Sequence, residues 1–225
     1  MVVAGFGNPA DLAAADARRV EPCCDIAEIR LDLIVGDRAN PEPAPWRHLQ
    51  GIPLLFTARR SEEGGAGMLS AARRIRLLED ASDDAALIDI EVASIPETSD
   101  LIESLRSRGV PWIASFHDFG KLPPDEVLAE AARRAKDAGA AAFKAAAMLH
   151  SPADIARLAE FQLADHGLPV ATMGMGPLAP VSRLLCAQCG SVLNYGYLGE
   201  TPTAPGQWDA AFLKQAISRL APFRI

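Results

Sequence analysis

Short apolar segments alternate with longer amphipathic segments along most of the chain. The apolar segments are Val2–Phe6, Ile26–Ile34, Pro53–Thr57, Ala86–Glu91, Pro111–Phe116, Ala141–Lys144, Pro169–Met173 and Val192–Leu198. Uninterrupted apolar segments of this length are typical of strands that are buried on both faces, as in parallel sheets. The pattern therefore predicts eight parallel strands with helical crossovers between them.

The amphipathic segments between most of these strands carry apolar residues at helical spacing, as Leu69, Ile75 and Leu78 do. The predicted helices are Pro9–Val20, Leu69–Asp80, Glu97–Arg108, Pro123–Ala138, Pro152–His166 and Trp208–Leu220. The segment Val35–Gly51 differs, because Pro41, Pro43 and Pro45 disfavour a regular helix. We predict an irregular connection there, with room for one helical turn.

Eight strand-then-helix units within 225 residues fit a closed (β/α)8 barrel, the TIM barrel, formed by residues 1–225 as a single domain. A doubly wound open sheet is the alternative. The turn after its first strand would normally carry a G-x-G-x-x-G sequence if it bound a dinucleotide. Here Gly5-Phe6-Gly7 lacks the third glycine, so we expect no dinucleotide site.

The net charge of −7 argues against a general nucleic-acid-binding protein, which would carry a basic surface. It does not exclude an anionic ligand, because a pocket can be locally positive. No apolar segment approaches the roughly 20 residues that span a bilayer, and no signal peptide is recognisable. We therefore expect a cytoplasmic protein with no membrane partner and with reduced thiols.

The four cysteines are two adjacent ones, Cys23 and Cys24, and a C-x-x-C pair, Cys186 and Cys189, within a predicted helix. Structural zinc takes four ligands, and adjacent cysteines are poorly spaced to supply two of them. The C-x-x-C pair also lacks the sequence context of a redox motif. We expect neither a metal site nor redox chemistry.

In barrel enzymes the catalytic groups come from the carboxyl ends of the strands and from the loops that follow. On the second predicted strand, Glu28, Arg30 and Asp32 alternate, which places them on one face. Charges inside a barrel must pair with each other or with a ligand, because isolated buried charges are costly. The pattern alone leaves both interpretations open.

Other polar residues follow further predicted strands at the same end. They are Arg59 and Glu63 before the glycine-rich stretch at Gly64, Gly65 and Gly67; His117; Arg183 near the start of a helix; and Thr203 and Gln207 around a Pro-Gly turn. A histidine can serve as a general acid or base, and an arginine beside a helix N-terminus can bind a carboxylate. Each residue also has an ordinary interpretation as a surface or turn residue.

Lys144 is the one charged residue in an otherwise apolar, alanine-rich strand. Burial lowers the pKa of an amine, which then attacks a carbonyl more readily and forms a Schiff base. A lysine whose stem lies along apolar surface while its amine reaches water is the alternative.

Seven sequence blocks occur in an order that resembles the type I 3-dehydroquinate dehydratase family of the shikimate pathway. They are E-I-R-L-D, F-T-A-R-R-S-E-E-G-G, I-D-I-E, S-F-H-D-F, F-K-A, M-G-M-G-P-L-A-P-V-S-R-L and T-A-P-G-Q, and they run from Glu28 to Gln207. The resemblance implies an eight-stranded barrel that forms a homodimer and binds 3-dehydroquinate, with no cofactor and no metal. The short N-terminal segment suggests an abbreviated first strand.

The resemblance also implies the role of each site residue. Lys144 would form the imine, His117 would be the general acid and base, and Glu63 would orient His117 and stabilise its charged form. The substrate would be held by Glu28, Arg30, Arg59, Arg183, Thr203 and Gln207. Thr203 stands where the family is expected to carry serine, which keeps the hydroxyl and adds a methyl group.

Two alternatives use the same residues differently. One is another lyase or aldolase that forms a lysine imine on a different keto compound. The arginines do not form a glycine-rich phosphate cradle, which disfavours sugar phosphates. The other is a non-catalytic sensor of quinate-like ligands, which should have lost Lys144 or His117, yet both are present.

Overall fold

The computed structural model describes residues 1–38 and 43–221. Its strands are β1 Val2–Phe6, β2 Ile26–Arg30, β3 Leu54–Thr57, β4 Leu87–Glu91, β5 Trp112–Asp118, β6 Ala142–Met148, β7 Val170–Met175 and β8 Asn194–Tyr197. All paired strands are parallel. The prediction of eight parallel strands is confirmed.

The strands follow the order β7-β6-β5-β4-β3-β2-β1-β8, so the first strand pairs with the last one. A backbone hydrogen bond of 3.1 Å from Val192 N to Val170 O joins the segments leading into β8 and β7. The sheet is therefore a nearly closed barrel, and the predicted (β/α)8 architecture is confirmed. The doubly wound open sheet is excluded, because that fold reverses its strand order and leaves two edges.

The α-helices alternate with the strands. They are α1 Pro9–Ala14, α2 Ala17–Val20, α3 Leu31–Ile34, α4 Ala71–Ala81, α5 Ser99–Ser107, α6 Asp125–Asp137, α7 Pro152–Leu163, α8 Ala179–Gln188 and α9 Ala210–Leu220. The amphipathic helices pack their apolar faces on the outside of the barrel, where Leu77, Leu105, Leu128 and Leu158 are buried.

Three sequence predictions about these elements are wrong. The predicted helix Pro9–Val20 is two helices, because Ala15 is extended and Asp16 caps α2 by accepting from Arg18 N. The second strand ends at Arg30, and Leu31–Ile34 forms a helical turn. The first strand is not abbreviated: β1 has five residues, as β2 has, and pairs on both sides.

The predicted irregular connection Val35–Gly51 contains residues 39–42, including Pro41, which lie outside the described residues. In its described part, Arg47–Leu49 forms one 3-10 turn. The side chain of Trp46 packs edge-on against Phe56, with ring centres 4.9 Å apart, and its Nε1 donates to Asp84 at 2.8 Å. These contacts anchor the connection to the barrel wall.

The barrel interior is layered, because alternate residues of each strand face inward. The layer at the amino-terminal end of the strands takes one apolar residue from each of the eight strand segments: Val3, Ile26, Leu55, Leu87, Ile113, Ala142, Ala171 and Leu193. Two residues further along, the interior turns polar, with Glu28, Thr57, Asp89, Ser115 and Lys144 all buried. The apolar layer thus closes the amino-terminal end of the barrel, and the buried polar residues lie toward the carboxyl end.

The described residues include no helix long and apolar enough to cross a membrane. None of the four cysteines forms a disulfide, and Cys24 and Cys186 are buried. Among residues 1–38 and 43–221, no group of three or more His, Cys, Asp or Glu side chains is arranged to hold a metal ion.

Candidate active site

A cavity of about 480 Å³, including its open mouth, lies at the carboxyl end of the barrel. All nine residues that the sequence singles out line it: Glu28, Arg30, Arg59, Glu63, His117, Lys144, Arg183, Thr203 and Gln207. The remaining lining residues include Phe119, Met173, Met175 and Tyr195. Residues scattered over 180 positions of sequence therefore share one concave site, as expected where a parallel barrel gathers its strand ends.

Lys144 lies deeper in the barrel than the sequence predicts. The predicted strand ends at Lys144, whereas β6 continues to Met148. Only 5% of the side chain is exposed, and Nζ donates to Oδ2 of Asp89 at 3.1 Å. Nζ also lies over the ring of Tyr195, 4.2 Å from its centre. The amine is therefore buried in the middle layer, facing the cavity.

The environment of Lys144 favours the neutral amine. Burial lowers its pKa below the ordinary value of 10.5; Asp89 opposes this, and Arg59 lowers the pKa further. Desolvation penalises the ammonium ion, and a neighbouring cation adds to that penalty. A lower pKa raises the fraction of neutral amine, which keeps the lone pair that a nucleophile needs.

Arg59 partly neutralises the carboxylate that faces Lys144. Its two terminal nitrogens donate to the two oxygens of Asp89, each at 3.0 Å, and one of them also donates to Ser115 Oγ at 2.6 Å. Ser115 Oγ in turn donates to Asp89 Oδ1 at 2.5 Å. The charge of Asp89 is thus shared between Arg59 and Lys144, which limits how far it can hold the lysine in its protonated form.

Glu63 positions the ring of His117. Its Oε2 accepts from the backbone N–H of His117 at 2.9 Å and contacts ring Nδ1 at 3.0 Å. Because Oε2 already accepts from the backbone N–H, we assign the ring proton to Nδ1, which donates it to the same oxygen. This tautomer leaves the lone pair of Nε2 available to a ligand.

The environment of His117 disfavours the charged imidazole. Burial lowers its pKa well below the ordinary 6.5, and the positive charges of Arg59 and Lys144 lower it further. Burial also raises the pKa of Glu63 to about 7. Burial therefore favours the neutral imidazole, which is the form that a general base requires. The predicted role of Glu63 in stabilising the charged imidazole stays a prediction.

Arg30 and Glu28 have partners within the barrel. Arg30 donates to both oxygens of Asp32 at 2.9 and 2.8 Å, and Glu28 accepts from Thr57 Oγ1 at 2.7 Å. The sequence predicts Asp32 on the same strand face as Glu28 and Arg30, and this prediction is wrong. Asp32 lies in the turn α3 and reaches Arg30 from there. Of the two interpretations of these charges, a pair within the protein or a ligand partner, the structure shows a buried ion pair between Arg30 and Asp32.

Arg183 is a buried guanidinium that makes no ion pair with any described carboxylate. It is 2% exposed, donates to the carbonyl oxygen of Tyr195 at 2.7 Å, and has no partner at Nε within the part of the chain that the structure describes. Burial lowers its pKa to about 10. It lies in the second turn of α8 rather than at the first. An anion entering the cavity would supply the missing counter-charge.

Gln207 folds the loop after β8. Its Oε1 accepts from Thr203 N at 2.9 Å and Thr203 Oγ1 at 2.8 Å, and its Nε2 donates to Gly196 O at 2.9 Å. The methyl group of Thr203 lies against Gly7, where an added Cβ would be 2.8 Å from it. Gln207 therefore positions Thr203, while the hydroxyl oxygen of Thr203 can still accept from a ligand.

Sequence reasoning missed Asp89, Ser115 and Tyr195 as individual site residues. The alternation Leu87, Asp89, Glu91 on β4 places the two carboxylates inward, and this signal was present in the sequence. Tyr195 gave no comparable signal, since an aromatic residue in an apolar strand is ordinary core.

The fold and site together define a (β/α)8-barrel protein. Its cavity presents a buried lysine, a histidine held by a glutamate, and a buried arginine with no carboxylate partner among the described residues. The model of the family "Type I 3-dehydroquinase" matches residues 5–221. The chain belongs to this family.

Relatives agree with this assignment. The 3-dehydroquinate dehydratase of Methanothrix thermoacetophila is 34% identical over 219 residues, which cover 96% of this chain and 90% of that protein. The 3-dehydroquinate dehydratase of Geobacillus kaustophilus has a crystal structure with a TM-score of 0.85 and 26% identity, covering 100% of this chain and 92% of that one. The type I enzyme of Clostridium difficile, solved with covalently modified comenic acid, has a TM-score of 0.84 and 26% identity, covering 99% of this chain and 92% of that one.

Proposed function

We propose that the chain dehydrates 3-dehydroquinate to 3-dehydroshikimate through an imine on Lys144. The observation that carries the proposal is the buried amine of Lys144, with its lowered pKa, in the same cavity as His117 and Arg183. The substrate is proposed from the names of the relatives, which are 3-dehydroquinate dehydratases. No metal and no dissociable cofactor takes part in the proposed reaction.

The reaction begins with the addition of Lys144 Nζ to the C3 ketone. Loss of the ketone oxygen as water then gives a protonated imine, which draws electrons from C2 and so acidifies the C2 protons. His117 Nε2 removes one of them. The same histidine then protonates the C1 hydroxyl as it leaves, which makes the elimination syn. Water hydrolyses the imine and releases the product. A positioned acid and base contributes about 10²–10⁴-fold to such steps.

Arg183 is the proposed partner of the substrate carboxylate. Arg30 and Arg59 already contact Asp32 and Asp89 through their guanidinium groups. Arg183 alone of these three has no carboxylate partner among the described residues, and its burial makes an unpaired charge costly. A carboxylate that enters beside it therefore gains a charge-assisted hydrogen bond and relieves that cost.

The hydroxyl groups of the substrate are assigned to the acceptors and donors that remain on the cavity wall. Among the described residues, Glu28 accepts a side-chain hydrogen bond from Thr57 at Oε1 and keeps Oε2 for a ligand, and Thr203 keeps its acceptor capacity. Gln207 holds Thr203 in place on the cavity wall, and Arg59 lines the same cavity. These contacts orient C2 toward His117.

The direct test is turnover of 3-dehydroquinate, followed by the ultraviolet absorbance of the conjugated enone that forms. Lys144→Ala should abolish turnover. His117→Ala should form an imine that borohydride traps, as a mass increase of the intact protein, yet should not complete the elimination. Wild-type protein that fails to turn over 3-dehydroquinate would refute the proposal. Unchanged turnover in either variant would refute that residue's role.

The proposal extends to the assembly and the location of the protein. We propose that it acts as a homodimer in the cytoplasm, as the family resemblance implies. The mass of the particle measured by light scattering after size-exclusion chromatography tests the dimer. A monomer with full activity would contradict it.

A further inference from the structure

Tyr195 lies on β8 at the level of Lys144 in the barrel interior. Its side chain lines the cavity, and only 3% of the residue is exposed. The centre of its ring is 4.2 Å from Nζ of Lys144. The amine that attacks the substrate therefore lies over the face of this ring.

The hydroxyl of Tyr195 has no hydrogen-bond partner among residues 1–38 and 43–221. A buried tyrosine normally finds a partner for its hydroxyl, because an unpaired buried polar group costs free energy. Phenylalanine would fill the same space on β8 without this cost. An unpaired hydroxyl on a residue that lines the ligand cavity points to a partner that arrives with the ligand.

The charges around Tyr195 keep the hydroxyl protonated. Burial raises its pKa well above the ordinary value of 10, and the negative charges of Glu28 and Asp89 raise it further. The group therefore does not ionise in the working range of pH. It offers a hydrogen-bond donor, and it does not exchange its proton with the substrate.

We propose that the Tyr195 hydroxyl donates a hydrogen bond to the oxygen on the carbon that Lys144 attacks, and so is a further catalytic residue of imine formation. The inference rests on the function proposed above. Because Nζ lies 4.2 Å from the ring centre, a carbon bonded to Nζ lies close to the same ring. In the proposed geometry, the oxygen on this carbon points toward the hydroxyl.

The hydrogen bond acts on the addition step. As the nitrogen–carbon bond forms, the π bond of the ketone breaks and its electron pair moves to the oxygen. Tyr195 stabilises the charge that develops there, as donors of an oxyanion hole do. The proton that the attacking nitrogen releases ends on this oxygen and gives the carbinolamine. The carbinolamine hydroxyl then takes up a proton from solvent and leaves as water, while the nitrogen lone pair forms the carbon–nitrogen double bond of the protonated imine.

Tyr195→Phe tests the proposal because it removes the hydroxyl and keeps the ring. Rapid mixing with 3-dehydroquinate, quenching with borohydride and intact-mass measurement give the rate at which the imine forms. We expect this rate to fall about tenfold, the loss of roughly one hydrogen bond. The matched control is Tyr197→Phe, on the same strand but not among the residues that line the cavity, and its rate should equal that of wild type.

The unfolding temperature separates this role from a structural one. Since the hydroxyl has no partner in the described protein, ligand-free Tyr195→Phe should unfold at the wild-type temperature or above it. A rate of imine formation equal to that of wild type would overturn the proposal. So would a slower rate accompanied by an unfolding temperature several degrees lower.

The end point of the same experiment distinguishes the proposed function of the protein from the proposed role of Tyr195. After long incubation, Tyr195→Phe should reach the same yield of trapped adduct as wild type, because only the rate of addition changes. Wild type that forms no adduct at all would refute the proposed function, and the role of Tyr195 with it. Equal rates in wild type and Tyr195→Phe would refute the role of Tyr195 alone.

Discussion

A single oxygen of Glu63 holds His117 at two points. Oε2 of Glu63 accepts from the backbone N–H of His117 at 2.9 Å and from ring Nδ1 at 3.0 Å. The two contacts fix both the position of the residue on β5 and the rotation of its ring, so Nε2 faces the cavity. This arrangement determines which nitrogen can take a proton from the substrate.

Glu63→Ala should lower kcat/KM by about 10- to 100-fold, part of the 10²–10⁴-fold that a positioned acid and base supplies. Glu63→Gln should lose less, because its amide oxygen can still accept from both N–H groups of His117. Steady-state kinetics on 3-dehydroquinate measures both values. The control is Glu62→Gln, one residue away and exposed, which should behave as wild type. A Glu63→Ala variant with wild-type kcat/KM would show that His117 needs no orienting carboxylate.

The pH profile of kcat/KM should have an acid limb near pH 7 that belongs to Glu63. Burial raises the pKa of Glu63 to about 7, so below that pH it gains a proton and loses its hold on the ring. The pKa of His117 is lowered, so its own protonation, which removes the base, comes well below pH 6.5. In Glu63→Gln the component of the acid limb near pH 7 should vanish, which leaves the limbs that belong to His117 and to the attacking amine of Lys144. A component near pH 7 that persists in Glu63→Gln would contradict its assignment to Glu63.

How far the sequence predicts this site depends on the kind of evidence. Period-two alternation and the position of strand ends are local signals. They predict Glu28, Arg30, His117 and Lys144 at one end of the barrel, where all four line the cavity. The family resemblance added the roles of these residues and of the loop residues Glu63, Thr203 and Gln207. Depth within the barrel is different, because it depends on the register between neighbouring strands. Lys144 pairs with Ser115 in the middle of both strands, a relation that no single segment reveals.

The errors in the predicted elements have a common physical cause. Leu31–Ile34 and Ala145–Met148 both continue an apolar segment past a polar residue. The first turns into a helix and the second continues the strand, yet both contain buried residues, and periodicity cannot separate short buried segments. The break between α1 and α2 depends on the cap at Asp16, which the prediction passed over because the apolar spacing continued across it.

Arg183→Met should raise KM for 3-dehydroquinate and lower kcat/KM by about 10- to 200-fold, the range expected for a lost charge-assisted hydrogen bond. Removing a buried guanidinium with a lowered pKa should at the same time leave the ligand-free protein as stable as wild type or more so. Kinetics and thermal unfolding of the same preparation give both quantities.

An analogue of the substrate that lacks the carboxylate serves as the control for Arg183. It should bind wild type and Arg183→Met with similar affinity, because the group that Arg183 recognises is missing. If the variant loses affinity equally for both compounds, Arg183 supports the cavity wall rather than the carboxylate.

Gly7→Ala should lower the free energy of unfolding by about 1–3 kcal/mol, because its Cβ would lie 2.8 Å from the Thr203 methyl and 3.2 Å from Leu33 Cδ1. Thr203→Ser removes that methyl and should cost about 1 kcal/mol on its own. In the double variant the smaller side chain gives room to the alanine, so the two costs should not add. Urea unfolding of the four proteins measures the coupling. Additive losses would contradict the contact between Thr203 and Gly7.

The central claim, that Lys144 carries the substrate, is tested most directly by locating the covalent bond. Protein incubated with 3-dehydroquinate, reduced with borohydride and digested should yield one modified peptide, with the added mass on Lys144. The three other lysines, Lys121, Lys136 and Lys214, should be unmodified. An adduct on any other residue, or a protein that turns the substrate over without forming one, would contradict the account.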